Sequence, residues 1–140
     1  MSSNFIPLAK PNITEKDIEL VSSVLRSGML VQGKYVNELE NEFVKFTQSS
    51  FAAAVSNGTA TLHLALIALG IKNGDEVIVP AFSYMATANV VELVGAKPVF
   101  VDIDLTTFNI DVTKIEAAIT PKTKAIIPVH EFGLSCDIEG

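Results

Sequence analysis

The residues whose chemistry stands out first are Ser56-Asn57-Gly58-Thr59-Ala60, placed between the short apolar run FAAAVS and an apolar helical pattern. Gly58 permits a tight turn at that junction. The N–H groups of a first helical turn have no partner within the helix and face outward. The Thr59 hydroxyl adds one more donor, so Asn57, Gly58 and Thr59 together make a seat for a phosphate ester. The same three residues also read as an ordinary turn with an N-cap threonine, and the sequence keeps both readings open. No Gly-Lys-Ser/Thr follows at P-loop spacing, and the three-glycine dinucleotide fingerprint is missing. Nucleotide binding here therefore ranks below a small phosphorylated cofactor.

A second group lies at the end of EVIVP, in Pro80-Ala81-Phe82-Ser83-Tyr84. Either aromatic ring, Phe82 or Tyr84, could stack on a flat heteroaromatic ligand whose phosphate sits in the neighbouring loop. Taken singly, each ring reads more readily as packing at the top of a sheet. His130, at the end of KAIIPVH, could face the same crevice, but a lone histidine at a strand end is more often a hydrogen-bonded structural residue than a catalyst, and its role stays open. Asp102 and Asp104 in VDID could pair on a metal, but they read better as a strand end and a turn whose carboxylates bond local backbone. No metal site is predicted. The sequence holds no HExxH, no CxxC and no nucleophile with a base at a recognisable spacing.

The elements that must position these groups follow from periodicity. Apolar Ile18, Val21, Val24 and Leu25 predict a surface helix over 14–26, with Thr14 as N-cap three residues before Asp17. The loop SGMLVQG leads to a second helix, whose Val36, Leu39, Phe43 and Phe46 predict packing on one side. After Ser50 the pattern alternates: FAAAVS, EVIVP, KPVFVDI and KAIIPVH read as strands, NGTATLHLALIALG, SYMATANVVELVG and DVTKIEAAI as helices. That alternation predicts an α/β fold of three layers, a mostly parallel sheet with helices on both faces. In such sheets ligands gather beyond the carboxyl ends of the strands, where all three candidate loops fall.

Four strands and a tail, EFGLSCDIEG, that reads as a loop entering another helix predict an incomplete sheet, and hence the first part of a larger domain. The chain of 140 residues is acidic, with a formal charge of −6, and its lysines and lone Arg26 are scattered. A nucleic-acid surface is not expected from that pattern. Apolar stretches are too short and interrupted for a membrane span. A single cysteine, Cys136, and a start without a basic and an apolar leader region predict a cytoplasmic location.

The segments SGMLVQGKYVNELENEF, VSNGTATLHLAL, GDEVIVPAFSYMATANVV, GAKPVFVDIDLTTFNID and KAIIPVHEFG, in this order and spacing, resemble the DegT/DnrJ/EryC1/StrS sugar aminotransferases. These are pyridoxal-phosphate (PLP) enzymes of fold type I. The resemblance runs from about Pro7 to Gly140 and implies residues 1–34 as an amino-terminal helix and active-site loop, and 35–140 as the first part of the cofactor-binding large domain. It implies PLP as cofactor, its phosphate at Asn57, Gly58 and Thr59 and its ring under Tyr84. Tryptophan or phenylalanine is common at the Tyr84 position, and tryptophan where Met29 stands. The Schiff-base lysine and the pyridinium-pairing aspartate are expected beyond Gly140; no lysine from Lys10 to Lys124 matches the family's, so no catalytic residue is assigned. The resemblance further implies a nucleotide-linked keto-deoxysugar, with the keto group at carbon 4, and glutamate as amino donor, in polysaccharide or deoxysugar biosynthesis. A homodimer is implied for the full-length protein, and inactivity for these residues alone. Two alternatives remain: a PLP-dependent sugar dehydratase of the same family, and a truncated non-catalytic module.

Overall fold

The structure is a computed structural model and describes Pro7 and residues 9–139. The first residues, on which the reading of the amino-terminal start rests, and Gly140 lie outside the described residues. Contacts divide the chain into two units, Met1–Ala54 and Val55–Gly140.

In the first unit, α1 spans Glu15–Ser27 and opens with a reciprocal cap. The Asp17 carboxylate accepts the Thr14 N–H at 2.8 Å, and the Thr14 hydroxyl oxygen accepts the Asp17 N–H at 3.4 Å. Two orphan donors of the first turn are satisfied this way. Gly28, at φ 70°, ends the helix in the left-handed region that favours glycine. Helix α2 spans Lys34–Thr47. Its ion pairs Lys34–Glu38 and Lys45–Glu42 are solvent-exposed, where such pairs add little. Of the apolar stripe read from the sequence, only Val36 is half-buried. Val36, Glu40 and Val44 are half-buried, whereas Leu39, Phe43 and Phe46 are exposed. The reason is polar: a Glu40 carboxylate oxygen accepts the Ala54 N–H at 2.9 Å and turns that edge inward.

The second unit is built on three parallel strands, β1 Glu76–Pro80, β2 Lys97–Val101 and β3 Thr123–Ile126, in the order β2-β1-β3. Ile78 lies opposite Val99 on one side and Ile126 on the other. Two-residue alternation sends Val77 and Val79 to one face, against Leu66 of α3 (Gly58–Ala68) and Val90 and Val91 of α4 (Ala86–Leu93). Ile78 goes to the other face, with Val101, Ile110 and the one-turn helix α5 (Ile115–Ala118). All five residues of β1 are buried because the central strand is covered on both faces. Full burial of each Val or Ile there contributes about 1.5–3 kcal/mol. Helices on both faces of a parallel sheet make this the three-layer α/β fold.

Several elements depart from the periodicity. FAAAVS is extended, with Ala52 and Ala54 half-buried in alternation, but it forms no strand. A strand needs a neighbour to complete its ladder, and none of the described strands pairs with it. The sheet therefore has three described strands where four are predicted. KPVFVDI stops at Val101, and Ile103 instead bridges antiparallel to Ile110. DVTKIEAAI forms a 3₁₀ turn, Val112–Lys114, before the single turn of α5. KAIIPVH narrows to β3, ahead of Pro128, which has no N–H to give. After it comes a 3₁₀ turn, Glu131–Gly133, where a helix entry is predicted. Among the described residues no helix is long and apolar enough to cross a membrane.

Candidate cofactor site

The start of α3 is set by Asn57, whose side-chain oxygen accepts the Ala60 N–H at 2.9 Å while its carbonyl accepts the Thr61 N–H at 3.1 Å. The cap is asparagine, not the threonine that the ordinary-turn reading supposes. This division leaves the N–H groups of Gly58 and Thr59 and the Thr59 hydroxyl with no partner among the described residues. A Cβ added at Gly58 would meet nothing within 4 Å. The donors thus open onto free space at a helix amino terminus, where the dipole favours negative charge.

That space is a cleft of about 600 Å³, lined among others by Gly58, Thr59, Tyr84, Thr87 and His130. It lies beyond the carboxyl ends of β1 and β3, so the structure brings together residues distant in sequence. Asn57 acts behind the lining, as the cap. Tyr84 is 81 % exposed, with its ring left unpacked. Phe82 is committed elsewhere: its ring lies 5.7 Å from Phe108 and 6.3 Å from Phe132, which themselves meet edge-on at 6.1 Å. Of the two aromatic candidates, Tyr84 is the one on the cleft. The loop that carries it is tied by a 3.0 Å hydrogen bond between the hydroxyls of Ser83 and Thr87, the latter only 5 % exposed. Two hydroxyl residues four apart, across a predicted strand-to-helix turn, are the signal that could have found this brace.

His130 also reaches the lining, and its Nδ1 accepts the Cys136 N–H at 2.9 Å. Asn109, which sequence reasoning does not single out, holds the loop after His130. Its amide nitrogen donates to the carbonyls of Leu134 and Ser135, each at 3.1 Å, and its oxygen accepts the Glu131 N–H at 2.9 Å. The Cys136 thiol donates to the Val129 carbonyl at 2.7 Å, and burial pushes its pKa up.

Asp102 and Asp104 serve local backbone and lie outside this lining. Asp104 accepts the N–H groups of Thr107 and Thr106, which hold its carboxyl below the ordinary range. Asp102 accepts the Ile103 N–H and sits 3.4 Å from Lys114, with the same downward effect. Among the described residues no group of three His, Cys, Asp or Glu side chains is arranged to hold a metal. Among the described residues no lysine lines the cleft. Met29 belongs to the first unit and is exposed.

The residues present fit a phosphorylated heteroaromatic group: three unengaged donors at a helix terminus and one unpacked ring on the same cleft. The family model for the DegT/DnrJ/EryC1/StrS aminotransferases matches residues 11–140. The chain is 47 % identical over 139 residues to a UDP-4-amino-4-deoxy-L-arabinose–oxoglutarate aminotransferase of Shewanella sediminis, covering 99 % of this chain and 36 % of that protein. Among solved structures it is similar to the PLP form of Spr1654 of Streptococcus pneumoniae, a protein assigned as a sugar aminotransferase, with 45 % identity, a TM-score of 0.87 and coverage of 94 % and 34 %. It is also similar to the E. coli GDP-4-keto-6-deoxy-D-mannose-3-dehydratase with bound hydrated PLP, at 38 % identity, a TM-score of 0.79 and coverage of 87 % and 33 %. The chain spans about a third of the length of these relatives.

Proposed function

Since the chain belongs to the DegT/DnrJ/EryC1/StrS aminotransferase family, we propose that its residues form the phosphate seat and ring-facing wall of a PLP-dependent sugar aminotransferase. The observation that carries this reading is the cleft on which the unengaged donors of Gly58 and Thr59 and the unpacked ring of Tyr84 converge. PLP supplies an electron sink for the carbon that gains or loses nitrogen. The chain's own residues bind and orient. Gly58 and Thr59 would receive the phosphate, Asn57 would keep those N–H groups directed outward by holding the helix start, and the Tyr84 face would cover the ring and exclude water. The brace between Ser83 and Thr87 would hold that face in place.

The substrate we propose is a nucleotide-linked keto-deoxysugar with its keto group at carbon 4 and glutamate as amino donor, in surface-polysaccharide or deoxysugar biosynthesis. The Shewanella relative, named for a UDP-linked 4-amino sugar, supports this choice. The lysine that would carry the cofactor and the aspartate that would pair with its ring nitrogen are placed beyond Gly140 in this reading, so residues 1–140 alone are proposed not to transaminate. Residues 1–34 would supply a helix and a loop near the active site, and 35–140 the first part of the large domain. A cytoplasmic homodimer with no nucleic-acid or membrane partner completes the proposal. The likeness to the E. coli dehydratase favours a second reading, PLP-dependent dehydration of a related sugar.

The test is an incubation of the full-length polypeptide carrying these residues with PLP, glutamate and UDP- or GDP-linked 4-keto sugars, read by mass spectrometry. An amino sugar formed together with 2-oxoglutarate supports the aminotransferase. A deoxygenated product without nitrogen selects the dehydratase. Neither product from a protein that retains PLP refutes both reactions and favours the non-catalytic module.

A further inference from the structure

The neutral imidazole has one acceptor and one donor nitrogen, and the bond made by the first decides where the proton sits. In His130 the Nδ1 atom is taken as acceptor by the Cys136 N–H at 2.9 Å. The proton of the neutral ring therefore belongs to Nε2. No group among the described residues takes up that Nε2–H, and His130 lines the cleft shared with Gly58, Thr59 and Tyr84.

The peptide that fixes this tautomer is itself held on several sides. Cys136 is 5 % exposed, with its thiol bonded to Val129 next to His130. Asn109, 4 % exposed, spends three hydrogen bonds on Glu131, Leu134 and Ser135 between the two. A structural role accounts for Nδ1 and for the loop, but it leaves the Nε2–H donor without a partner among the described residues. Further unengaged donors of this cleft include those of Gly58 and Thr59 at the start of α3. Donors on separate elements converging on one space call for a ligand with oxygen acceptors at more than one position.

We propose that His130 is a ligand-binding residue of this cleft, donating through Nε2–H to an oxygen of the flat ligand other than those of its phosphate. The inference rests on the cofactor reading above. It adds a contact on the wall formed after β3, away from the helix terminus that receives the phosphate.

Two measurements on the full-length polypeptide test it. In the PLP-free protein, ¹⁵N NMR should show His130 as the Nε2–H tautomer, and PLP should shift the Nε2 resonance. The opposite tautomer overturns the proposal. PLP and phosphate-free pyridoxal are then titrated into His130→Gln, His130→Asn and His130→Phe. Glutamine keeps a donor near the Nε2 position, whereas asparagine keeps only the contact to Cys136. Glutamine should hold affinity close to wild type, while asparagine and phenylalanine should lose roughly five- to tenfold for both ligands, the size of one ordinary hydrogen bond. If asparagine rescues and glutamine does not, the residue is structural and the proposal falls. Wild-type binding of PLP that all three variants match overturns it and leaves the cofactor reading standing. A wild-type protein that fails to bind PLP removes the cofactor reading and this inference together.

Discussion

Replacing Thr59 by valine separates a phosphate seat from a helix start that merely looks like one. The change is isosteric and deletes the hydroxyl alone. Thr59 is exposed, and its hydroxyl has no partner among the described residues. Asn57 continues to cap Ala60, and valine and threonine have similar helix propensity. Unfolding free energy without ligand should therefore change by no more than about 0.5 kcal/mol. A hydrogen bond to a charged group is worth about 1.5–3 kcal/mol. Loss of one donor to the phosphate should weaken PLP roughly ten- to 150-fold. The assay is a PLP titration of the full-length polypeptide at fixed ionic strength, with pyridoxal as the phosphate-free control. Thermal unfolding at fixed PLP gives an independent measure, since each tenfold loss of affinity removes about 1.4 kcal/mol of ligand-derived stability. Pyridoxal should bind both proteins alike. Equal weakening of the two ligands, or no weakening of PLP, refutes the seat at Thr59.

Tyr84→Phe should leave PLP affinity near wild type, because the stacking face survives, whereas Tyr84→Leu should cost roughly two- to tenfold, measured in the same titration. In the core, fully buried Ile78 should lose about 2–5 kcal/mol as Ile78→Ala and about 0.5–1.5 kcal/mol as Ile78→Val, read from urea unfolding. A pH effect is expected at Glu76, whose carboxyl is held below its ordinary 4.5 by the Thr120 hydroxyl at 2.6 Å, with Lys97 assisting against the opposing effect of burial. A lowered folded-state pKa contributes stability that is complete above 4.5 and is lost as pH falls through the lowered value. Thr120→Val should therefore be less stable than wild type near neutrality, and the gap should narrow below pH 4.5. Urea midpoints across that range check the sign, and a gap independent of pH contradicts it.

How much was legible tracks how local each cause is. The Thr14–Asp17 cap of α1 joins residues three apart, and the structure shows it as read. Strand β1 is a continuous apolar run bounded by a turn, and its five buried residues keep the predicted place. FAAAVS forms no strand because its apolar run contains no information about a neighbour, and a strand exists only with one. Helix α5 shortened because Asp111 caps a 3₁₀ turn, accepting the Thr113 N–H at 3.1 Å, ahead of it. The α2 stripe failed for a similar reason: the Glu40–Ala54 bond turns a charged position inward, which hydropathy counts as outward.

At the cleft, the residue types were visible in the sequence and the choice among them was not. Phe82 and Tyr84 stand two apart on one loop and offer the same chemistry. The choice is made by Phe108 and Phe132, from the loops after β2 and β3, at separations that no local pattern encodes. Both lie at positive φ, 61° and 54°, a conformation that costs a bulky residue about 1–3 kcal/mol and persists only where its surroundings hold it. The three-ring cluster is what holds them, tying together the loops at the carboxyl ends of all three strands. With Phe82 consumed in that cluster, the register of the loop leaves Tyr84 facing the space beside α3. The same long-range logic, through Asn109 and Cys136, fixes the tautomer of His130 beyond the carboxyl end of the neighbouring strand β3. Aromatic packing and a buried amide thus decide which of the candidate side chains reach the cleft.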